Sequence, residues 1–279
     1  MTHRRAIQAL AAELGCEPDE RAVYARRLAT PPDEYAARLL RTTNTELLLV
    51  DDGFPPPELA VGCAELGALA GCRALPVLRL ETRGADAAEA AADAREDGFA
   101  ALKTIAAYRG GLDRVSEPVL QALEANEATG EPLPVQVHCG FGDADLWLSR
   151  ADPSLLKPLF ERFHETPFVL LHCYPFVREA GWLAHVYGNV FFDLSLTIPY
   201  VARPEVALAE ALELAPVSKL MYASDAARAP ELYFLAAEWW RDALAVVLPG
   251  LLPADAVEAA ARMILRENAL ALYSLSAGR

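Results

Sequence analysis

Seven short apolar runs alternate with longer amphipathic or alanine-rich segments, and this alternation limits the folds open to the chain. The runs begin on average about 29 residues apart, close to the roughly 30 residues of one strand, its helix and their loops. Each run is nearly continuous in apolar residues, which is typical of a strand buried on both faces. The pattern therefore predicts an α/β fold with a parallel sheet. The runs are 45–53, 74–81, 99–108, 134–140, 168–174, 190–196 and 220–226.

Two architectures accommodate such a sheet, a closed (β/α) barrel and an open doubly wound sheet. No glycine-rich phosphate loop follows any run, whereas polar or ionisable residues end most of them. Side chains from many strand ends converge on one centre only in a barrel. We therefore predict a (β/α)8 TIM-barrel-like domain over residues 45–279, with seven of its eight strands recognisable. The strand-free residues 1–44 are predicted to form a helical segment of the same single domain.

Charge and composition narrow the partners. The 279 residues carry a formal net charge of -14 and are 53% hydrophobic, so the chain would repel a phosphate backbone, and nucleic acid is an improbable partner. No apolar run approaches the roughly 20 residues of a membrane span, and the N-terminus does not resemble a signal peptide. We expect a cytoplasmic protein that acts on a small-molecule substrate, without membrane partners. Homo-oligomerisation stays open.

Two predicted strands end in the dipeptides His138-Cys139 and His172-Cys173. Consecutive strand residues point to opposite faces, so only one member of each pair is expected to face the barrel interior, and histidine is the better candidate. Asp225 ends the last run. Two imidazoles and one carboxylate suit zinc, with manganese or iron as alternatives.

Longer motifs at these positions add a family resemblance. From about residue 45 to residue 275 the chain resembles the amidohydrolase-related (amidohydrolase 2) family, in the branch similar to the amidohydrolase-like part of proteins fused to glutamine synthetase. The resemblance implies a distorted (β/α) barrel with one or two divalent metals, usually zinc, that activate water against an amide or ester bond. Decarboxylases form a minority of the family. The motifs are FAALKTIAAYRGGL (99–112), HCGFGD (138–143), LHCYPF (171–176), YASDA (222–226) and ENA (267–269).

The resemblance also implies roles for three residues. His138 resembles the metal-binding histidine that ends the family's fifth strand. His172 resembles the sixth-strand histidine, which is a ligand or polarises the scissile carbonyl. Asp225 resembles the eighth-strand aspartate, which touches the metal and takes the proton from its water. We thus predict His138, His172 and Asp225 as metal ligands, with Asp225 and His172 also catalytic.

Four further residues are predicted to bind substrate: Lys103, Arg109, Arg178 and Tyr174. Lysines at the position of Lys103 are carbamylated to bridge two metals in some branches of the superfamily, and we rank substrate binding with Arg109 above that role. Arg109 and Arg178 could each pair with a substrate carboxylate, with surface solvation as the alternative. Tyr174 is expected in the pocket wall.

One departure from the family stands out. The family's first strand ends in an HxH pair that supplies two ligands, and no HxH occurs in this sequence. The missing eighth strand and the two missing metal ligands are therefore both explained by the absence of the family's first strand. A misplaced start codon, a truncated chain and a homologue that has lost its metal are competing explanations, and a seven-stranded barrel is expected to expose two strand edges.

The predicted function is hydrolysis of a C-N, amide-like bond in a small, carboxylate-bearing substrate by metal-activated water. A decarboxylase on the same scaffold is the first alternative. A metal-poor binding homologue is the second, and the fold alone does not choose between them.

Overall fold

A seven-stranded parallel sheet forms the centre of the computed structural model, which describes residues 2–56 and 59–275. Each strand pairs with the next strand along the chain, so the order is sequential and never reverses as it would in a doubly wound sheet. This confirms the prediction of an incomplete TIM-barrel-like α/β fold. The strands are β1 Leu47–Asp51, β2 Arg73–Arg79, β3 Ala101–Thr104, β4 Val135–Cys139, β5 Phe168–His172, β6 Val190–Asp193 and β7 Leu220–Met221.

Helices connect the strands and flank the sheet at both chain ends. A five-residue π-helical turn, Met263–Glu267, joins the last two of them. The helices are α1 Thr2–Leu14, α2 Glu20–Ala29, α3 Pro32–Thr42, α4 Cys63–Ala70, α5 Ala87–Asp93, α6 Glu117–Ala128, α7 Lys157–Arg162, α8 Val177–Val186, α9 Thr197–Tyr200, α10 Pro204–Leu212, α11 Pro230–Leu251, α12 Ala254–Arg262 and α13 Asn268–Leu272.

The strands divide the core into an outer and an inner apolar layer. Alternate residues of β4, Val135, Val137 and Cys139, are fully buried in the large cluster between the sheet and its helices. The inner cluster is smaller and includes Val77 and Leu171. The inner cluster fills only part of the inner side of the sheet. Polar side chains lie on the rest of that side, at the carboxyl ends of the strands.

The C-terminal helical segment covers part of the gap between the two outermost strands. No strand joins β7 to β1 within residues 2–56 and 59–275. Instead, the N–H of Tyr222, just beyond β7, donates to the carbonyl of Ile264 at 2.8 Å. Arg266 pairs with Glu46, which precedes β1, at 3.1 Å. The edge of β7, expected to be bare, is therefore covered in part by the π-helical turn.

The N-terminal helices pack on the barrel through α3. Tyr35 is 3% exposed and donates to Glu231 on α11 at 3.1 Å, and Arg27 pairs with the same carboxylate at 2.9 Å. These contacts support our proposal that the helical segment and the barrel form one domain. Thr30 ends α2, where its hydroxyl donates to the carbonyl of Arg26. Pro31 takes the N-cap position of α3 and makes no capping bond with its side chain.

Membrane insertion has no helical candidate in the part of the chain that the structure describes. None of its helices combines the length and the hydropathy of a bilayer span.

The five cysteines are all free, and Cys139 and Cys173 are fully buried. Trp239 and Trp240 on α11 are buried core residues.

Candidate active site

A buried ion cluster occupies the carboxyl ends of β1, β2 and β3. Asp51 lies between two cations, Arg79, whose Nε is 3.0 Å from Asp51 Oδ1, and Lys103, whose Nζ is 2.9 Å from Asp51 Oδ2. All three side chains are less than a fifth exposed. Burial opposes ionisation of Asp51, but Lys103 and Arg79 outweigh it and lower the pKa of this carboxyl to about 2. Asp51 is therefore ionised and is the shared counter-ion of Arg79 and Lys103.

This cluster bears on the predicted role of Lys103. The amine pairs with Asp51, and Lys103 as a whole is 7% exposed, so it forms part of the charged base of the site. Lys103 nevertheless lies close enough to His138, His172 and Asp225 to affect the pKa of each. The electrostatic field of Lys103 thus acts on all three residues.

His138, the penultimate residue of β4, has a buried ring with one nitrogen that makes no hydrogen bond. The Nε2 atom is inaccessible to solvent and has no hydrogen-bond partner, a costly state for a buried polar atom. The ring packs against Tyr108 with 4.7 Å between centroids. Gly142 gives this pair room, because a Cβ there would lie 1.7 Å from the Tyr108 hydroxyl and 3.2 Å from His138 Nε2.

His172 reaches the same place through an unusual backbone. Alternation along β5 puts Leu171 in the inner cluster, so the following side chain should face the helices. A left-handed φ of 67° at His172 turns the chain instead, a conformation that costs roughly 1–3 kcal/mol at a non-glycine residue. The ring then lies 4.6 Å from that of His138, and its Nε2 is 3.9 Å from Asp225 Oδ2.

Residues without a predicted site role hold this turn in place. Asp193 Oδ1 accepts from the N–H of His172 at 2.9 Å, and Thr197 donates its hydroxyl to the carbonyl of His172 at 2.6 Å. The Oγ of Ser195 lies 2.6 Å from the Nδ1 of the ring. All three residues are at most 3% exposed. Their alternate positions, which favour a common face, were the available sequence signal.

Asp225 faces the two histidines from the loop after β7. Its side chain is 34% exposed, and its φ of 47° is a left-handed conformation that aspartate and asparagine tolerate better than most residues. Burial raises the pKa of Asp225. Burial, reinforced by the charge of Lys103, also lowers the pKa of His138 and His172 well below that of free histidine. Both imidazoles are therefore neutral at pH 7, the form that binds metal ions.

The remaining predicted residues lie outside this group of three. Arg109 is exposed and donates to the carbonyl of Tyr108 at 3.3 Å. Arg178, on α8, is 71% exposed and pairs with Glu210 at 2.8 Å. Tyr174 is 42% exposed and packs edge-on against Phe141 with 5.8 Å between centroids. The structure therefore brings together His138, His172, Asp225 and Lys103 but not Arg178.

Arg228 is a further cation of this loop that sequence reasoning missed. It follows Asp225 by three residues with a φ of 65°, and its guanidinium lies over the Phe54 ring at 5.0 Å. Within the described residues it has no carboxylate partner, whereas Arg79 and Arg178 each have one. Arg228 is thus an exposed cation three residues after Asp225 in the chain.

The donor types match a divalent ion, although the set is incomplete. Two neutral imidazoles and a carboxylate suit zinc, manganese or iron. The buried Nε2 of His138 has no hydrogen-bond partner, so its lone pair is available to bind such an ion. No three His, Cys, Asp or Glu side chains in the described residues converge closely enough to form a metal site by themselves. His138, His172 and Asp225 therefore fit as a partial ligand set.

Comparison with known proteins assigns the family. The family model described as amidohydrolase matches residues 63–275, well over half of the chain. The chain belongs to the amidohydrolase family. A stretch of 173 residues is also 38% identical to the Protein fluG of Emericella nidulans. That alignment covers 59% of this chain and 20% of fluG, so this amidohydrolase chain matches about a fifth of its curated relative's length.

Solved structures share the fold. A protein from Lactobacillus casei ATCC 334, described as a candidate metal-dependent hydrolase, has a TM-score of 0.85 and is 28% identical over 97% of this chain and 83% of its own. An uronate isomerase from Bacillus halodurans C-125 has a TM-score of 0.65 at 14% identity and covers 98% of this chain and 76% of its own. The second likeness concerns the fold alone. The first likeness is to one protein described as a metal-dependent hydrolase.

Proposed function

We propose that this chain is a metal-dependent hydrolase that cleaves a C-N, amide-like bond in a small, carboxylate-bearing substrate with activated water. The observation that carries the proposal is the meeting of a buried, unpartnered His138 Nε2 with His172 and Asp225. Membership of the amidohydrolase family and the likeness to the Lactobacillus casei protein support it.

The roles follow from the chemistry of each side chain. His138, His172 and Asp225 would hold a divalent ion, zinc first and manganese or iron as alternatives. Such an ion supplies Lewis-acid activation of water and of the scissile carbonyl. Asp225, a partly exposed carboxylate with a raised pKa, accepts the proton of the attacking water and passes it to the leaving amine. Lys103 and Asp51 keep the base of the site charged and ordered.

The substrate carboxylate is best matched by Arg228. The guanidinium lies over the Phe54 ring and has no carboxylate partner in the described residues, and Arg228 follows Asp225 by three residues. A planar guanidinium binds a carboxylate through two parallel hydrogen bonds. Arg109, exposed beside Tyr108, is the second cation able to do so.

Replacing Arg228 with Ala is expected to raise KM about 10- to 100-fold with kcat nearly unchanged, because a charge-assisted hydrogen bond contributes about 1.5–3 kcal/mol. Steady-state kinetics on an amide that the wild type hydrolyses measures this. R178A is the matched control, since Arg178 already pairs with Glu210 on the surface, and its KM should not change. An unchanged KM in R228A with a raised KM in R109A would assign binding of the substrate carboxylate to Arg109 instead.

Metal content tests the proposal directly. We expect about one zinc, manganese or iron ion per purified chain by inductively coupled plasma mass spectrometry after dialysis against metal-free buffer. H138A should lower that ratio several-fold, because it removes the unpartnered nitrogen, whereas H164A changes an exposed histidine and should not. Metal-free wild-type protein would contradict the proposal for this chain.

A metal-poor binding homologue is the alternative that one observation favours, namely the absence of a closed three-donor cluster in the described residues. Such a protein would bind a small carboxylate without consuming it. Calorimetry that detects ligand binding, together with mass spectrometry that finds the ligand intact, would favour it. The decarboxylase alternative is distinguished in the same assay by carbon dioxide release without an amine product.

A further inference from the structure

The last residue of β6 and two residues that follow it contact His172 at three points. We call Asp193, Ser195 and Thr197 the DST segment. Asp193 binds the backbone N–H of His172, Thr197 binds its carbonyl oxygen, and Ser195 binds its ring at Nδ1. The contacts of Asp193 and Thr197 fix the backbone turn described above. The Ser195 contact is different because it reaches the imidazole itself.

The direction of the Ser195 bond follows from proton counting. A serine hydroxyl has a single proton to donate. The Oγ of Ser195 lies 2.7 Å from Asp193 Oδ1, which also accepts the backbone N–H of Ser195 at 2.9 Å. Because Asp193 Oδ1 already accepts the backbone N–H groups of His172 and Ser195, it is also the acceptor of the hydroxyl proton, and Ser195 Oγ must accept from the ring at 2.6 Å. The hydrogen on the ring is therefore on Nδ1.

We infer that Asp193 and Ser195 are positioning residues that hold His172 in the Nδ1–H tautomer and leave the Nε2 lone pair free. That lone pair lies on the side of Asp225, whose Oδ2 is 3.9 Å from Nε2. A neutral imidazole ligates a cation through the nitrogen that carries no hydrogen, and its partner at the other nitrogen decides which one that is. The value of the tautomer for metal binding rests on the proposed function, but the tautomer itself does not.

Burial makes this assignment strict. Asp193, Ser195 and His172 are each at most 3% exposed, so water cannot replace the serine hydroxyl as partner of Nδ1. In S195A the ring would lose its acceptor at Nδ1. Either ring nitrogen could then carry the hydrogen. Nε2 would have a free lone pair in only part of the population.

Nuclear magnetic resonance reads the tautomer without substrate or metal. The protein is labelled with nitrogen-15 histidine, stripped of metal and observed at pH 8, and H172Q assigns the His172 signals among the five histidines. We expect the nitrogen-15 chemical shifts of the Nδ1–H tautomer in the wild type and in S195T, which keeps a hydroxyl at this position. S195A should shift toward the Nε2–H pattern or a mixture of the two.

The matched control is T197V. It removes a buried hydroxyl that lies 2.6 Å from the carbonyl of the same histidine but does not touch the ring, so the Nδ1–H pattern should persist. A wild-type spectrum with hydrogen on Nε2 would overturn the inference without any variant. A wild-type pattern in S195A would overturn it as well.

Zinc titration separates this inference from the proposed function. With Zn²⁺ as the probe, S195A should bind about 10- to 100-fold more weakly than the wild type, the usual effect of losing the partner of a ligating histidine. T197V should stay within about threefold. Equal affinities in S195A and wild type would overturn the positioning role while leaving the hydrolase proposal intact. No zinc binding by the wild type would refute the proposed function, and the spectra would still decide the tautomer.

Discussion

Replacement of Asp225 with Asn is expected to lower kcat at least about 100-fold while the fold stays intact. The carboxylate is assigned both the transfer of the proton and a place in the ligand set, and positioned general bases contribute about 10²- to 10⁴-fold. Asn is the informative variant because it preserves size and tolerates the left-handed φ of 47° at this position, whereas Ala would add backbone strain. Single-turnover kinetics on an amide that the wild type cleaves, with circular dichroism and thermal melting, measures both effects.

The control for this substitution is D242N. Asp242 is an exposed residue of α11 that pairs at 3.6 Å with Arg5, so the same chemical change there should alter neither kcat nor melting. Because burial raises the pKa of Asp225, its charge does not stabilise the fold, and D225N should melt at or slightly above the wild-type temperature. Unchanged turnover in D225N would remove Asp225 from the mechanism.

The second large effect is predicted for stability. D51A should lower the free energy of unfolding by about 3–5 kcal/mol, because it leaves Arg79 and Lys103 buried without their shared counter-charge. Urea unfolding at pH 7 measures the change. E210A is the matched control: it removes the acid from a surface ion pair with the 71%-exposed Arg178 and should cost less than about 1 kcal/mol.

The pH dependence of stability gives an independent check on Asp51. Its pKa is lowered to about 2 in the folded protein, against about 3.9 in an unfolded chain. A depressed pKa means that the carboxylate stabilises the fold above pH 4 and that this contribution is lost as the pH falls toward 2. D51N should lack about 2–3 kcal/mol of that acid sensitivity. Identical acid unfolding of wild type and D51N would contradict the ion cluster.

The arrangement of strands could be predicted from the sequence because its causes are local. A run of apolar residues marks a buried strand wherever it stands, and the regular spacing of such runs leaves room for one helix between neighbours. The sequential order β1 to β7 followed from those features. His138 and His172 were identified as strand-end residues in the same way, since parallel strands bring their carboxyl ends to one edge of the sheet.

The side-chain pairings could not be predicted, because they depend on register and on distances across the barrel. Lys103 was expected to bind substrate, yet its amine pairs with Asp51, a residue two strands away in the sheet. Arg178 was expected near the site, and its position on α8 directs it to Glu210. Sequence spacing contains no information on either meeting.

His172 shows most clearly where local reasoning stops. Strand alternation correctly excludes a histidine and its neighbouring cysteine from facing inward together, and Cys173 is buried in the outer cluster. Alternation also predicts that the residue after the inward-facing Leu171 faces the helices, and a left-handed backbone reverses this for His172. Asp193 at the end of β6 and Thr197 at the start of α9 hold that backbone in place. The sequence by itself determined the sheet, the order of its strands and the residues at their ends. Only the tertiary structure decided which of those residues pair, because hydrogen bonds and ion pairs between strands depend on distances that no local pattern encodes.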